Sequence, residues 1–168
     1  SPLAPDLDFI LKGQDSDFQT GLDALVRITQ GKVYLGIRNT TKASCLKNAK
    51  NVEIVTFEGS HPAGNVGVQI NHIKPVNKGE VVWAVDPVTV LFIGRFFNRG
   101  IVELSRLVAF TGSEVNEAER VYYPMLPGTQ LNKLFLGHVT KHVDLRYISG
   151  NVLTGTRIAF DGYLHAYD

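Results

Sequence analysis

The side chains most able to do chemistry cluster in one stretch, Gly59-Ser60-His61-Pro62-Ala63-Gly64-Asn65-Val66-Gly67. An apolar run ends there and a helical pattern begins. A strand feeding a helix leaves backbone N–H groups unpaired at the helix N-terminus, which suits an anion or a phosphate. Small residues at Ala63, Gly64 and Gly67 let a ligand or another backbone come close. His61, Gly64, Asn65 and Gly67 are therefore the candidate ligand contacts. The glycine spacing is Gly-x-x-Gly, not the Gly-x-Gly-x-x-Gly of a dinucleotide fingerprint, and no acid closes a following strand where a ribose hydroxyl would need it. Asp86 lies further on but reads as a helix cap. The first reading is a tight structural turn and the second a ligand mouth.

The remaining reactive residues carry weaker patterns. His61 could hand over a proton near neutral pH. His72 is eleven positions on, about three helical turns, so the two can share a face. No carboxylate is spaced with them as a metal site needs. His138 and His142 have the His-x-x-x-His spacing that binds zinc on a helix, without the Glu of a metalloprotease motif. They follow Gly137, where the helix is expected to stop, so a solvated loop is favoured. Cys45, beside Ser44, has no recognisable catalytic partner and reads as a half-buried free thiol. As the only cysteine it cannot form an internal disulfide, ligate an iron–sulfur cluster alone or build a cysteine-type zinc site. Tyr122, Tyr123, Tyr147, Tyr163 and Tyr167 suit strands, or an aromatic interaction surface. No catalytic residue and no metal ligand is assigned.

These residues need elements to position them. Asp8 to Leu11 reads as a short strand. Asp15 or Ser16 can cap a helix whose inward face is Phe18, Leu22, Leu25, Val26 and Thr29, stopped at Gly31. Val33 to Ile37 is an apolar strand, Thr40 to Ala49 a short helix and Val52 to Phe57 a second strand. Ser60 can cap a helix with Pro62 in its first turn, inward at Ala63, Val66, Ile70 and Ile73 and ended by Pro75. Val81 to Val85 predicts a third strand. Asp86-Pro87 opens a helix through Val88, Leu91, Phe92 and Phe96, closed at Gly100, with Arg95 interrupting its apolar stripe. The alternation predicts a small α/β unit with a largely parallel sheet.

The pattern changes after Gly100. Ile101 to Phe110 reads as a long strand, Val121 to Tyr123 as a short one bounded by Pro124. A short helix presents Leu131, Leu134 and Phe135. Strand pieces follow at Tyr147-Ile148, Val152-Leu153, Arg157 to Phe160 and Tyr163 to Tyr167. This half predicts a small α+β module, with the boundary near Gly100.

Composition sets outer limits. The 168 residues are 44% hydrophobic and 20% charged, enough for one ordinary domain or two small ones. A net charge of +1 with scattered cations gives no electrostatic footprint for nucleic acid. No apolar run reaches the roughly 20 residues of a membrane span. A lone cysteine is consistent with a reducing compartment. The Ser-Pro-Leu opening reads as the start of an excised piece.

Several blocks occur in an order that carries a resemblance. They are Thr20-Gly21-Leu22-Asp23-Ala24-Leu25 with Gly31-Lys32-Val33-Tyr34, His61-Pro62-Ala63-Gly64, Val82-Trp83-Ala84, Arg106-Leu107-Val108-Ala109-Phe110-Thr111-Gly112, and Ile148-Ser149-Gly150-Asn151-Val152-Leu153-Thr154-Gly155-Thr156. Over essentially its whole length the chain resembles the A-type subunit of the bacterial sodium-translocating NADH:quinone oxidoreductase, as a central fragment of that longer protein. The first, second and last blocks are the specific ones.

The resemblance implies a Rossmann-like, flavin-free domain over residues 1–100 and a soluble-ligand-binding β-grasp (SLBB) module over 101–168. It implies a peripheral subunit on the cytoplasmic side of the bacterial inner membrane, partnered by the other subunits of the complex. Its role would be support of assembly and a contribution to quinone binding. NADH, flavins, an iron centre and quinone belong to the whole complex; the fragment is expected to bind no redox cofactor and to be non-catalytic alone. Two departures agree. Gly64-Asn65-Val66-Gly67 does not reproduce the flavin loop of the complex I relative, and Cys45 cannot replace cysteine-rich cluster motifs. The alternative is an interaction scaffold built on a vestigial nucleotide fold. A stand-alone NAD-dependent dehydrogenase is the poorer third, and it predicts NADH turnover by the chain alone.

Overall fold

The structure, a computed structural model, describes residues 5–140, 145–150 and 155–165. They form two compact units, Leu7–Glu103 and a second that begins at Leu104 and includes Pro5 and Asp6.

The Leu7–Glu103 unit contains α1 (Leu7–Ile10), α2 (Asp15–Ile28), β1 (Tyr34–Arg38), α3 (Ser44–Lys47), β2 (Glu53–Phe57), α4 (Val66–Ile73) and α5 (Pro87–Arg99). β1 and β2 are parallel, in register from Tyr34 opposite Glu53 to Arg38 opposite Phe57. The 3.6-residue period of α2 turns Phe18 and Leu22 inward onto Leu11, Leu35, Leu46, Val90 and Leu91, with Leu25 packed alongside. Burying one such side chain contributes roughly 1.5–3 kcal/mol. Asp86 caps α5 by accepting from Val88 N at 3.0 Å and Thr89 N at 3.1 Å. Gly100 closes that helix in the left-handed region at φ 70°.

α2 and α5 cross at glycines. A Cβ on Gly94 would sit 1.6 Å from the Asp17 carbonyl oxygen, and one on Gly21 would sit 2.1 Å from that of Val90. No side chain larger than hydrogen fits either place. Beside the crossing, the buried Asp17 carboxylate accepts from Asn98 Nδ2 at 2.7 Å and Arg99 Nη2 at 2.8 Å. Arg95 donates to Gln14 Oε1 at 3.2 Å and Glu103 Oε1 at 3.3 Å. The cation that interrupts the apolar stripe thus joins a polar seam along the helix pair.

Several expectations are corrected here. Asp8 to Leu11 lies in helix α1 and its closing turn, not a strand. Leu11 N donates to Leu7 O at 3.0 Å, a turn bond that a strand lacks, and the Asp8 carboxylate accepts from the Thr41 hydroxyl and from the N–H groups of Lys42 and Ala43. The N-cap of α2 is Gln14, one residue early, with no side-chain cap bond. α4 begins at Val66 rather than near Pro62, because the preceding turn spends its own N–H groups: Ala63 N donates to Ser60 O at 3.0 Å and Asn65 N to Pro62 O at 2.8 Å. Val81 to Val85 forms no strand among the described residues. An apolar run signals a wish for cover, but a strand also needs a neighbouring edge.

The second unit contains β3 (Arg106–Ala109), β4 (Tyr122–Met125), α6 (Asn132–His138), β5 (Tyr147–Ser149) and β6 (Thr156–Ile158). β3 pairs antiparallel with β4, placing Leu107 opposite Pro124, and β5 pairs antiparallel with β6. The Ile101 to Phe110 run pairs only where β4 reaches it. Leu131, Leu134, Phe135 and Leu164 form the core, with Val108, Phe110, Tyr147 and Ile158 packed against it. α6 runs through Gly137 to His138 instead of stopping at the glycine. Val152-Leu153, His142 and Tyr167 lie outside the described residues. Among the described residues the structure is thus small and mixed α/β, with a parallel strand pair in the Leu7–Glu103 unit and antiparallel pairs in the second.

Candidate functional site

The Gly59 turn is as open as a ligand mouth would be. His61, Gly64, Asn65 and Gly67 are all exposed. A Cβ added at Gly64 or Gly67 meets nothing within 4 Å, so neither glycine is there to let another backbone approach. Gly59, at φ 134°, is the glycine the turn itself requires. Asn65 caps α4 by backbone conformation alone, without a side-chain cap bond. Gln69 ties the helix down, donating to Ala63 O at 3.1 Å and covering the face of Gly36, where a Cβ would meet its Oε1 at 2.9 Å. His72 is exposed, its Nδ1 3.1 Å from Val68 O one helical turn back. The turn therefore presents polar edges to solvent but no enclosed volume.

The thiol and the histidine pair resolve differently. Cys45 is 5% exposed and its Sγ lies 3.8 Å from Leu11 O. Burial pushes its pKa up, away from the thiolate that a nucleophile needs. His138 is not in a solvated loop. It ends α6, with Nδ1 2.6 Å from Leu134 O and Nε2 3.2 Å from Glu119 Oε2. Tyr123 donates to the same Glu119 oxygen at 2.8 Å. Burial, then the hydrogen bond with Glu119, pushes the Tyr123 phenol up. Among the described residues no three of His, Cys, Asp or Glu are grouped to hold a metal.

A cavity lies in the second unit, where no motif announced it. It is about 420 Å³ and is lined by Val108, Phe110, Phe135 and Tyr147, with Glu114, Arg146 and Ser149 supplying polar groups. This is within the range of small-ligand pockets, roughly 300–1,000 Å³. Phe135 stacks on Tyr147 with centroids 3.8 Å apart and planes 14° from parallel, and Phe110 lies 5.7 Å from Phe135. Burial pushes the Tyr147 phenol up, so it stays a neutral ring. The wall from Gly112 to Val115 is held by backbone bonds to the end of α6. Asn116 N donates to His138 O at 2.9 Å and Thr140 N to Glu114 O at 2.8 Å. Tyr147 also lines an adjoining cavity of about 390 Å³ with Arg157 and Phe160. The aromatic residues come from three separate places in the chain: Phe110 just past β3, Phe135 in α6 and Tyr147 in β5. Their one trace in the sequence is that Phe110, Phe135 and Tyr147 each sit in an apolar run.

Comparison with known proteins finds matches along nearly the whole chain. A family model described as "NqrA second alpha/beta domain" matches residues 1–102, and one described as "NQRA C-terminal domain" matches residues 107–159. Relatives named as the A-type subunit of Na(+)-translocating NADH-quinone reductase are similar along nearly the whole chain. The Yersinia pestis protein is 37% identical over 97% of this chain and 36% of its own length. The proteins of Marinomonas sp. and Neisseria meningitidis serogroup B are 35% identical over 94% and 36% identical over 99% of the chain, and 34% and 37% of their own lengths. The chain thus spans about a third of the length of these curated relatives.

Proposed function

Because the chain belongs to the NqrA family, the A-type subunits of the Na(+)-translocating NADH-quinone reductase, we propose that it is the central part of a peripheral subunit of that respiratory pump. It docks with other subunits on the cytoplasmic side of the membrane and contributes a quinone pocket. No helix among the described residues is long and apolar enough to cross a membrane, which suits a peripheral position. On this reading the Leu7–Glu103 unit is a Rossmann-like fold without flavin, and the second unit is a β-grasp module. Residues 1–100 and 101–168 are then its two domains. Neither holds a redox cofactor, and the passage of electrons from NADH through flavins and an iron centre takes place elsewhere in the complex.

The observation that carries the quinone assignment is the aromatic cavity. Its walls at Phe110 and Phe135 suit a flat apolar ring. Arg146 and Ser149 also line it, and a guanidinium and a hydroxyl are donors suited to ring carbonyl oxygens. His61, Gly64, Asn65 and Gly67 remain candidate ligand contacts on the open turn, without an enclosed volume to favour them.

Equilibrium dialysis of the chain against a short-chain quinone, NADH and FMN tests the assignment. Saturable binding of the quinone alone is expected. Phe110→Ala should weaken it about tenfold, the loss of one aromatic contact worth about 1.4 kcal/mol. Absence of saturable quinone binding removes the pocket and leaves the scaffold reading. Saturable NADH or FMN binding that is lost on crowding the turn with Gly64→Trp contradicts both.

A further inference from the structure

The segment Val81-Val82-Trp83-Ala84-Val85 is apolar at every position, yet it is open to solvent. Val81 is 78% exposed, Val82 51%, Trp83 84% and Val85 40%. Among the described residues it belongs to no strand ladder. Both of its ends are anchored. Before it, Lys74 pairs with Glu80 at 2.7 Å and Asn77 N donates to Glu80 Oε2 at 2.9 Å, closing a turn. After it, Asp86 is committed to capping α5. Between them, three of the five residues are β-branched valines, the side chains that favour strands, and none of the five is assigned to a helix or a strand.

A run apolar on both faces is the pattern of a strand covered on both sides. The unit's sheet has two strands, and a two-stranded sheet is marginal in water without further strands or packing. We propose that Val81–Val85 is an open β-strand completed by an extended segment of the same polypeptide lying outside these 168 residues. The relatives are nearly three times as long as the region they share with this chain, which covers 36% of the Yersinia pestis protein. The matching family is that of a "second" alpha/beta domain, so its members carry further α/β structure on the same polypeptide. A strand this apolar, left waiting for a separate protein, is an aggregation site. A partner on the same chain covers it as the chain folds.

A second copy is the poorer occupant. Antiparallel self-pairing centred on Trp83 sets Glu80 opposite Asp86 twice, and like charges directly opposite are destabilising. Parallel in-register pairing sets each acid against itself.

Hydrogen exchange read by mass spectrometry on the 168-residue chain, the full-length protein and the assembled complex tests the proposal. In the 168-residue chain the Val81–Val85 amides should exchange at the rate of unstructured peptide at every protein concentration. In the isolated full-length protein they should slow at least about 100-fold, as paired strand amides do. Fast exchange in the full-length protein overturns the proposal. So does protection that grows with concentration of the short chain, which assigns a second copy. Protection appearing only in the assembled complex assigns a different polypeptide and also overturns it.

Discussion

Asp8 and Cys45 show how much of a residue's chemistry is decided by neighbours distant in sequence. The hydrogen bond from the Thr41 hydroxyl, then the backbone N–H groups of Lys42 and Ala43, hold the Asp8 carboxyl below its usual range against the opposing effect of burial. A carboxyl with a depressed folded-state pKa stabilises the fold above its unfolded value, about 3.9. That contribution is lost as pH falls through the folded value. Asp8→Asn keeps an acceptor oxygen but removes the charge, and for a partly exposed, solvent-screened group it should cost only about 0.5 kcal/mol at pH 7. In urea unfolding the gap between the two proteins should close below about pH 4; a gap constant from pH 7 to pH 3 would deny the linkage. Cys45, buried and with its pKa pushed up, should react with a thiol reagent far more slowly in the native chain than in urea. Equal rates would place the thiol at the surface. Both residues are plain in the sequence. Neither partner set is, because Thr41 and Leu11 meet them only through the fold.

At the scale of elements, the α2–α5 crossing dominates. Gly94→Ala puts a methyl where the Asp17 carbonyl oxygen already stands, 1.6 Å away. Backbone cannot yield as a side chain tip does, so the helices must part. The expected cost is at least about 3 kcal/mol, read as a lower denaturation midpoint. Asp17→Ala leaves Arg95, its side chain 14% exposed, and its neighbours without their buried carboxylate, and should cost about 3 kcal/mol. The cap of α5 is milder: Asp86→Ala should lose about 1 kcal/mol. That helix was legible from Asp86-Pro87 and Gly100, since caps are local chemistry. The missing third strand and the late start of α4 were not, because ladders and turn hydrogen bonds depend on what else is near.

Over the whole molecule, each unit has a core of its own. Gly94→Ala should thus shift the unfolding of the Leu7–Glu103 unit and leave the aromatic circular dichroism of the second unit, with its Phe135–Tyr147 stack, near its native value. Loss of both signals together at one lowered midpoint would show that the cores unfold as one. The cavity wall belongs to this scale too, since it is assembled from residues distant in sequence.

By itself the sequence determined the strands β1 and β2, the capped helix α5 and, through its ordered blocks, the family. These rest on periodicity, capping and residue identity, which act over a few residues. Only the tertiary structure decided that Gly21 and Gly94 are contact points between helices, that Arg95 joins a polar seam, and that His138 is tied to Glu119. It also decided that Phe110, Phe135 and Tyr147 line a common cavity. Enclosure and close approach are properties of surfaces brought together from distant parts of the chain, and the spacing of residues along one segment does not encode them.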